Sequence, residues 1–145
     1  MINTFGSKSA IVDADALIGL IHETDALHSS CLKIAKYLHR RKFLLFIPYP
    51  IVLEAATTLA KDKTIKRPDL AARLLKDYAT VEKTFFDTQV GETVAEIYQS
   101  KTSKKNTPFD YYVLACARKN NIKLVFSFDS FYEKNGLVLL KNVVK

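Results

Sequence analysis

Short, unbroken apolar runs alternate along this chain with stretches of helix length in which apolar residues recur every three or four positions. The runs are residues 9–12 (ending Ile11-Val12), Phe43-Leu44-Leu45-Phe46-Ile47, Leu124-Val125-Phe126-Ser127-Phe128 and residues 137–140, and residues 81–86, interrupted by Glu82, Lys83 and Thr84, are read as a further strand. A run of four to six residues without polar alternation is what a strand buried on both faces requires. Strands separated by helices of ten or more residues join by right-handed crossovers into a parallel sheet. The expected fold class is α/β, with helices on both faces of a parallel sheet of four to five strands.

The intervening stretches read as helices with recognisable ends. One opens directly after the first strand (Ala16, Leu17, Leu20, Ile21), and Thr24 or Asp25 can cap the next, which runs to about Arg41 with Leu27, Cys31, Ile34, Ala35 and Leu38 on one face. Pro48-Tyr49-Pro50 closes the second strand and leads into a helix over 51–61. Further helices are expected over 68–79, 90–100 and 108–119, the last with Thr107 as N-cap and Pro108 at its first position. Residues 129–132 read as a turn.

At 145 residues the chain has the size of one domain able to bury a core without staples, with residues 1–8 as a loose lead-in. No apolar run is long enough to cross a bilayer and there is no signal-peptide pattern, so a cytoplasmic protein is expected. The two cysteines, Cys31 and Cys116, lie among apolar neighbours like buried free thiols. A formal charge of +7 and a pI near 9.4 favour polyanionic partners such as RNA or DNA. The basic run His39-Arg40-Arg41-Lys42 complements a helix C-terminus and is read first as a solvated helix end.

Of the fifteen acidic residues, four lie among apolar neighbours: Asp13 (Ile-Val-Asp-Ala), Glu54 (Val-Leu-Glu-Ala-Ala), Asp110 (Pro-Phe-Asp-Tyr-Tyr) and Asp129 (Ser-Phe-Asp-Ser-Phe). Right-handed crossovers bring each strand's C-terminal end, and the start of the helix after it, to one edge of the sheet. Asp13 and Asp129 follow strands, while Glu54 and Asp110 lie early in helices, so all four map to that edge. Each also has a plainer reading: Asp13 or its neighbour Asp15 as a helix cap, Asp110 with Thr107 as a capping box, Asp129 as a turn cap, Glu54 as an ordinary helix-surface acid. Four converging carboxylates repel unless a cation compensates them. Hard oxygen donors suit magnesium or manganese, whereas zinc is disfavoured because His22, His28 and His39 show no ligand spacing with cysteine or one another. Such a site suits metal-assisted hydrolysis of a phosphodiester. Lys101, Lys104 and Lys105, in the loop leading to Asp110, are expected to contact RNA phosphates.

These residues resemble the PIN-domain nucleases, in particular the small VapC-type toxins of toxin-antitoxin pairs. The likeness runs from Ser9 onward and rests on four elements in order: Ile-Val-Asp13-x-Asp15-x-Leu-Ile; Leu53-Glu54 with Leu59; Phe109-Asp110-x-x-x-Leu-Ala-x-Ala-Arg; and Leu-Val-Phe-Ser127-Phe-Asp129-x-x-Phe131. It implies a PIN-like three-layer α/β/α domain spanning residues 1–145. It further implies that Asp13, Glu54, Asp110 and Asp129 bind Mg2+ or Mn2+ and support cleavage of RNA. Asp15 and Ser127 stand where the family often has a small hydroxyl or amide residue and a threonine; Asp15 is a further candidate ligand and Ser127 a supporting residue. A homodimer held in check by a small antitoxin protein is implied too, and the electrostatics of an uncompensated acid cluster favour an inhibitor that inserts an arginine or lysine. Two other functions stay open: a catalytically silent PIN-like module that binds RNA or protein, and a haloacid dehalogenase-like phosphatase, whose opening motif Asp13-x-Asp15 resembles. Against the latter, the chain offers no second late acid beside Asp129 and little room for a cap domain.

Overall fold

The computed structural model describes residues 8–80, 84, 87–98 and 105–145. The stretch 81–86, expected as a strand, lies outside the described residues except for position 84, as do most of the lead-in and Lys101 and Lys104. Four parallel strands, β1 (Ser9–Val12), β2 (Leu44–Phe46), β3 (Leu124–Phe126) and β4 (Val138–Leu139), form one sheet in the order β2-β1-β3-β4. In register, Ile11 stands between Phe46 and Val125, and Leu124 pairs with Val138. Central β1 is wholly buried, as its unbroken apolar sequence requires. β2 departs from that expectation. Among the described strands it is an edge, and Leu44 and Leu45 are 48% and 39% exposed.

Helices α1 (Ala14–Ile21), α2 (His28–Arg40), α3 (Tyr49–Lys61), α4 (Pro68–Asp77), α5 (Gly91–Ile97), α6 (Pro108–Lys119) and α7 (Phe131–Lys134) complete an α/β/α domain. Ile11, Leu17, Leu38, Ile51, Leu59, Leu114, Phe126 and Leu139 lie fully buried in one core. α6 begins and ends where its sequence signals place it, with the Thr107–Asp110 capping box formed and prolines in the first turns of α3, α4 and α6.

Most other boundaries shift by one to three residues, and three differences from the sequence reading have a local cause. α2 starts at His28 rather than after Thr24 or Asp25, because the Asp25 carboxylate accepts from the Leu27 N–H two residues on (2.8 Å) and closes a turn instead of a helix. β3 stops at Phe126, since the backbone after it turns so that Ser127 and Phe128 serve the site. The expected turn at 129–132 runs on into the single-turn helix α7. Cys31 and Cys116 are buried free thiols. No helix among the described residues is long and apolar enough to cross a membrane.

Candidate active site

β1 ends at Val12, and the Asp13 N–H makes one last bond across the sheet to the Phe126 carbonyl (3.1 Å). The chain then turns into α1, with Asp13 as N-cap: its Oδ1 accepts from the Ala14 N–H (2.8 Å). The cap reading therefore holds for this residue, and the cap stands at the sheet edge where the other acids gather. Its second oxygen faces inward and accepts from the Tyr132 hydroxyl (2.7 Å) and the Ser127 hydroxyl (3.3 Å). Despite these donors, burial and then the neighbouring Asp15 charge hold the Asp13 carboxyl well above the usual carboxylate range.

Asp15 braces the turn. Its Oδ1 accepts from the Ala16 N–H, and its Oδ2 accepts from the Phe128 N–H (2.7 Å) and Ser127 Oγ (3.0 Å), tying the β1–α1 junction to the end of β3. Ser127, fully buried, shares its single hydroxyl hydrogen between Asp13 and Asp15 while accepting from the Asp129 N–H (3.2 Å). Asp129 in turn uses Oδ1 to accept from the Phe131 N–H (2.9 Å) at the start of α7.

Asn106 joins the remaining pair. Its side-chain amide donates to Asp110 Oδ2 (3.3 Å) and to Asp129 Oδ2 (3.2 Å), and Asp110 Oδ2 also accepts from the Thr107 N–H (2.8 Å) within the capping box. Burial lifts the Asp110 carboxyl. Glu54, in the second turn of α3, is pushed up to about 7 by burial first and then by the charges of Asp110 and Asp15. Its Oε2 is buried and has no hydrogen-bond partner among the described residues. Each carboxyl thus feels others across the group: Asp13 feels Asp15 and Asp110, Asp15 and Asp110 feel Asp129, and Glu54 feels Asp110 and Asp15. The ion pairs among the described residues, Arg67–Asp69, Arg73–Asp77 and Lys119–Asp87, leave all five acids without a cation.

The structure thus gathers Asp13, Asp15, Glu54, Asp110, Ser127 and Asp129 at the C-terminal edge of the sheet. Two contributors, Asn106 and Tyr132, carry no signal in the sequence: one is an amide at the end of a lysine-rich loop, the other an aromatic in an amphipathic stretch. Tyr132 is fully buried and ends a row of edge-on rings, Tyr98–Tyr111–Phe131–Tyr132, with centroids 5.0–5.3 Å apart, that starts at the exposed Tyr98. Lys105 is exposed and immediately precedes Asn106.

Among the described residues, no group of three or more His, Cys, Asp or Glu side chains could hold a metal ion as it stands. The donors present are nonetheless hard oxygens, one of them the unpartnered Glu54 Oε2. That fits magnesium, which keeps several waters and takes only one or two carboxylates, and it does not fit a closed zinc cage. Of the histidines, His28 is spent on packing, its Nδ1 bonded to the Gly19 carbonyl (2.7 Å).

Residues 10–136 match the family model for the PIN domain, a span that holds β2, β3, all of β1 but Ser9 and every acid of the cluster. The chain belongs to the PIN-domain family. This membership replaces the dehalogenase-like reading of Asp13-x-Asp15. Among solved structures, the PIN domain described here is similar to Mycobacterium tuberculosis VapC20, described as a sarcin-ricin-loop-cleaving toxin, with a TM-score of 0.70 at 17% identity over 89% of this chain and 96% of that one. At that identity the likeness is one of fold. No curated protein matches the sequence.

Proposed function

We propose that this PIN domain is a metal-dependent endoribonuclease and the toxin of a toxin-antitoxin pair. The observation that carries the reading is the set of carboxyls at one sheet edge, Asp13 buried and the others half-buried, with no ion-pair partner among the described residues and with Glu54 presenting an oxygen without a hydrogen-bond partner there. Asp13, Glu54, Asp110 and Asp129 would hold Mg2+ or Mn2+. The ion would supply activation of a water and neutralisation of charge developing on the phosphate. In the hydrolysis the water oxygen bonds to phosphorus, the bond from phosphorus to the departing ribose oxygen breaks, and the proton lost by the water passes to that oxygen or to solvent. Ser127 and Tyr132 set the direction of the Asp13 carboxylate, and Asn106 fixes Asp110 relative to Asp129. Lys101, Lys104 and Lys105 would hold substrate phosphates beside Asp110.

The test is cleavage of RNA by purified protein with magnesium or manganese and with chelator. Asp13→Asn, nearly isosteric, removes one charge from the cluster and should lower the rate by more than about a hundredfold, beyond what changes behind metal ligands cost, with the circular-dichroism spectrum kept. Cleavage unaffected by chelation or by Asp13→Asn overturns the metal-dependent reading, and no cleavage in magnesium or manganese leaves the silent RNA- or protein-binding module.

The same acids suit a basic anchor from an inhibitory protein, because a guanidinium pairs with two carboxylate oxygens at once. We propose a small antitoxin that inserts such a side chain and a homodimer presenting two sites. A co-expressed antitoxin should co-purify and block cleavage, and replacing its basic anchor with alanine should restore it.

A further inference from the structure

The outer face of α2 carries Lys33, Lys36, Tyr37 and Arg40 at positions i, i+3, i+4 and i+7, which align on one side of a helix. The Arg41 guanidinium lies over the Tyr37 ring, 5.6 Å from its centroid. After the short 3-10 helix Leu140–Asn142, which packs against α2, the chain comes back to this face, and Val144 and Lys145 form the far wall of a cleft of about 360 Å3. Five of the seven lining residues are cationic and none is acidic. Among the described residues, no ion pair involves Lys33, Lys36, Arg40, Arg41 or Lys145. The cleft shares no residue with the acid cluster, and Arg40 and Arg41 stand where the chain runs into β2, at the edge of the sheet opposite the one that holds Asp13 and Asp129.

Cations converging on a concavity repel one another, and among the described residues no acidic side chain relieves them there. Acidic residues on the same helix face would have done so; α2 has none. The cleft is shaped for a polyanion supplied from outside. We propose that it is a second RNA-binding site, gripping the phosphodiester backbone away from the point of cleavage. Arginine forks fit phosphate oxygens two at a time, and an aromatic ring set among cations is the usual furniture of a single-strand groove, which favours RNA over an acidic protein segment. The inference rests on the ribonuclease reading and narrows it: the preferred substrate is an RNA long enough to reach both edges of the domain, not a fragment of a few nucleotides.

The experiment is fluorescence anisotropy of the full chain on RNA over a salt series without divalent metal, so that no RNA is cut. A single strand of about thirty nucleotides is compared with one of about six. For Lys33→Gln/Lys36→Gln/Arg40→Gln the slope of log affinity against log salt on the long RNA should fall by about two, three charges at about 0.7 each. Binding of the short RNA should change little. Arg41→Gln/Lys145→Gln, which takes one charge from the end of α2 and one from the facing C-terminal segment, should flatten the slope in the same direction. Lys61→Gln/Lys63→Gln/Lys66→Gln removes as many charges from the end of α3 and the loop after it, and should leave the slope closer to the parent's.

An unchanged slope in both cleft variants overturns the proposal, and so does equal flattening by the α3 control, which would reduce the effect to net charge. If the cleft variants lose binding to poly-glutamate while keeping RNA, the occupant is an acidic protein segment and the RNA assignment is wrong. Failure of the protein to cut RNA in manganese sinks the nuclease reading alone, because the binding assay contains no metal.

Discussion

Glu54 concentrates the chemistry of the site in one side chain: a half-buried carboxyl beside Asp110 and Asp15, pushed up to about 7 from an ordinary 4.5. A carboxyl whose folded value is raised binds its proton more tightly in the fold than in the unfolded chain. Its contribution to stability is therefore complete below about 4.5 and is lost as the pH climbs through about 7. Asp13, Asp15 and Asp110 are shifted in the same direction. Thermal melts in chelator should accordingly show a melting temperature that falls between about pH 5 and pH 8, a fall that Glu54→Gln reduces and that magnesium or manganese reverses most strongly at the upper end. A melting temperature that rises over this range contradicts the electrostatic picture. Tyr132 acts on the same group from behind. Burial and the Asp13 charge push its phenol up, so it remains a donor. Tyr132→Phe keeps the ring edge-on to Phe131 but removes a bond to a buried carboxylate, which should cost about 1–3 kcal/mol in denaturant melts and raise the manganese concentration needed for half-maximal cleavage. Purely structural damage would lower the melting point and leave that concentration alone. The acids were legible in the sequence because each interrupts an apolar context, whereas Asn106 and Tyr132 were not: an amide in a loop and a tyrosine among apolar residues look the same whether or not they touch a carboxylate.

At the scale of elements, the close contact between α1 and α2 depends on Gly19. A Cβ there would lie 2.5 Å from Cys31 Sγ, which sits fully buried on α2 with a single rotatable bond to move it aside. Gly19→Ala should destabilise the fold by about 1–3 kcal/mol, the usual cost of overfilling a packed core, and Cys31→Ala should recover much of that loss in the double variant, read as a coupling energy from urea melts. Additive costs would show that the two helices do not meet there. The same contact explains part of what periodicity could read. α6 declares both ends through Thr107, Pro108 and Asp110, and its boundaries are those observed. α2 was expected too early because Asp25 offers a cap, yet the chain needs residues 22–27 to bring Cys31 under Gly19, so the Asp25 side chain is used up in a turn. The exposure of Leu44 and Leu45 on β2 was illegible for another reason: an apolar run reports that a strand is buried somewhere, not which neighbours it has.

Across the whole molecule, the cluster draws on chain positions as far apart as Asp13 and Tyr132, on a fold shared with VapC20 at 17% identity. β4 pairs with β3, and Leu139 and Leu140 are fully buried in the core. Removing residues 131–145 should therefore leave a chain without cooperative melting and without cleavage in manganese; a shortened chain that still cuts RNA would show that the site assembles without Tyr132, β4 and their packing. The order of the sequence then has a temporal meaning. A ribosome delivers Asp13 well before Asp129, Tyr132 and the buried leucines of the C-terminal segment. Until those late residues have emerged, the edge of the sheet has no Asp129 for Asn106 to hold and no phenol to steady Asp13. The RNA cleavage proposed for this domain would therefore be withheld until residues 129–140 have left the ribosome.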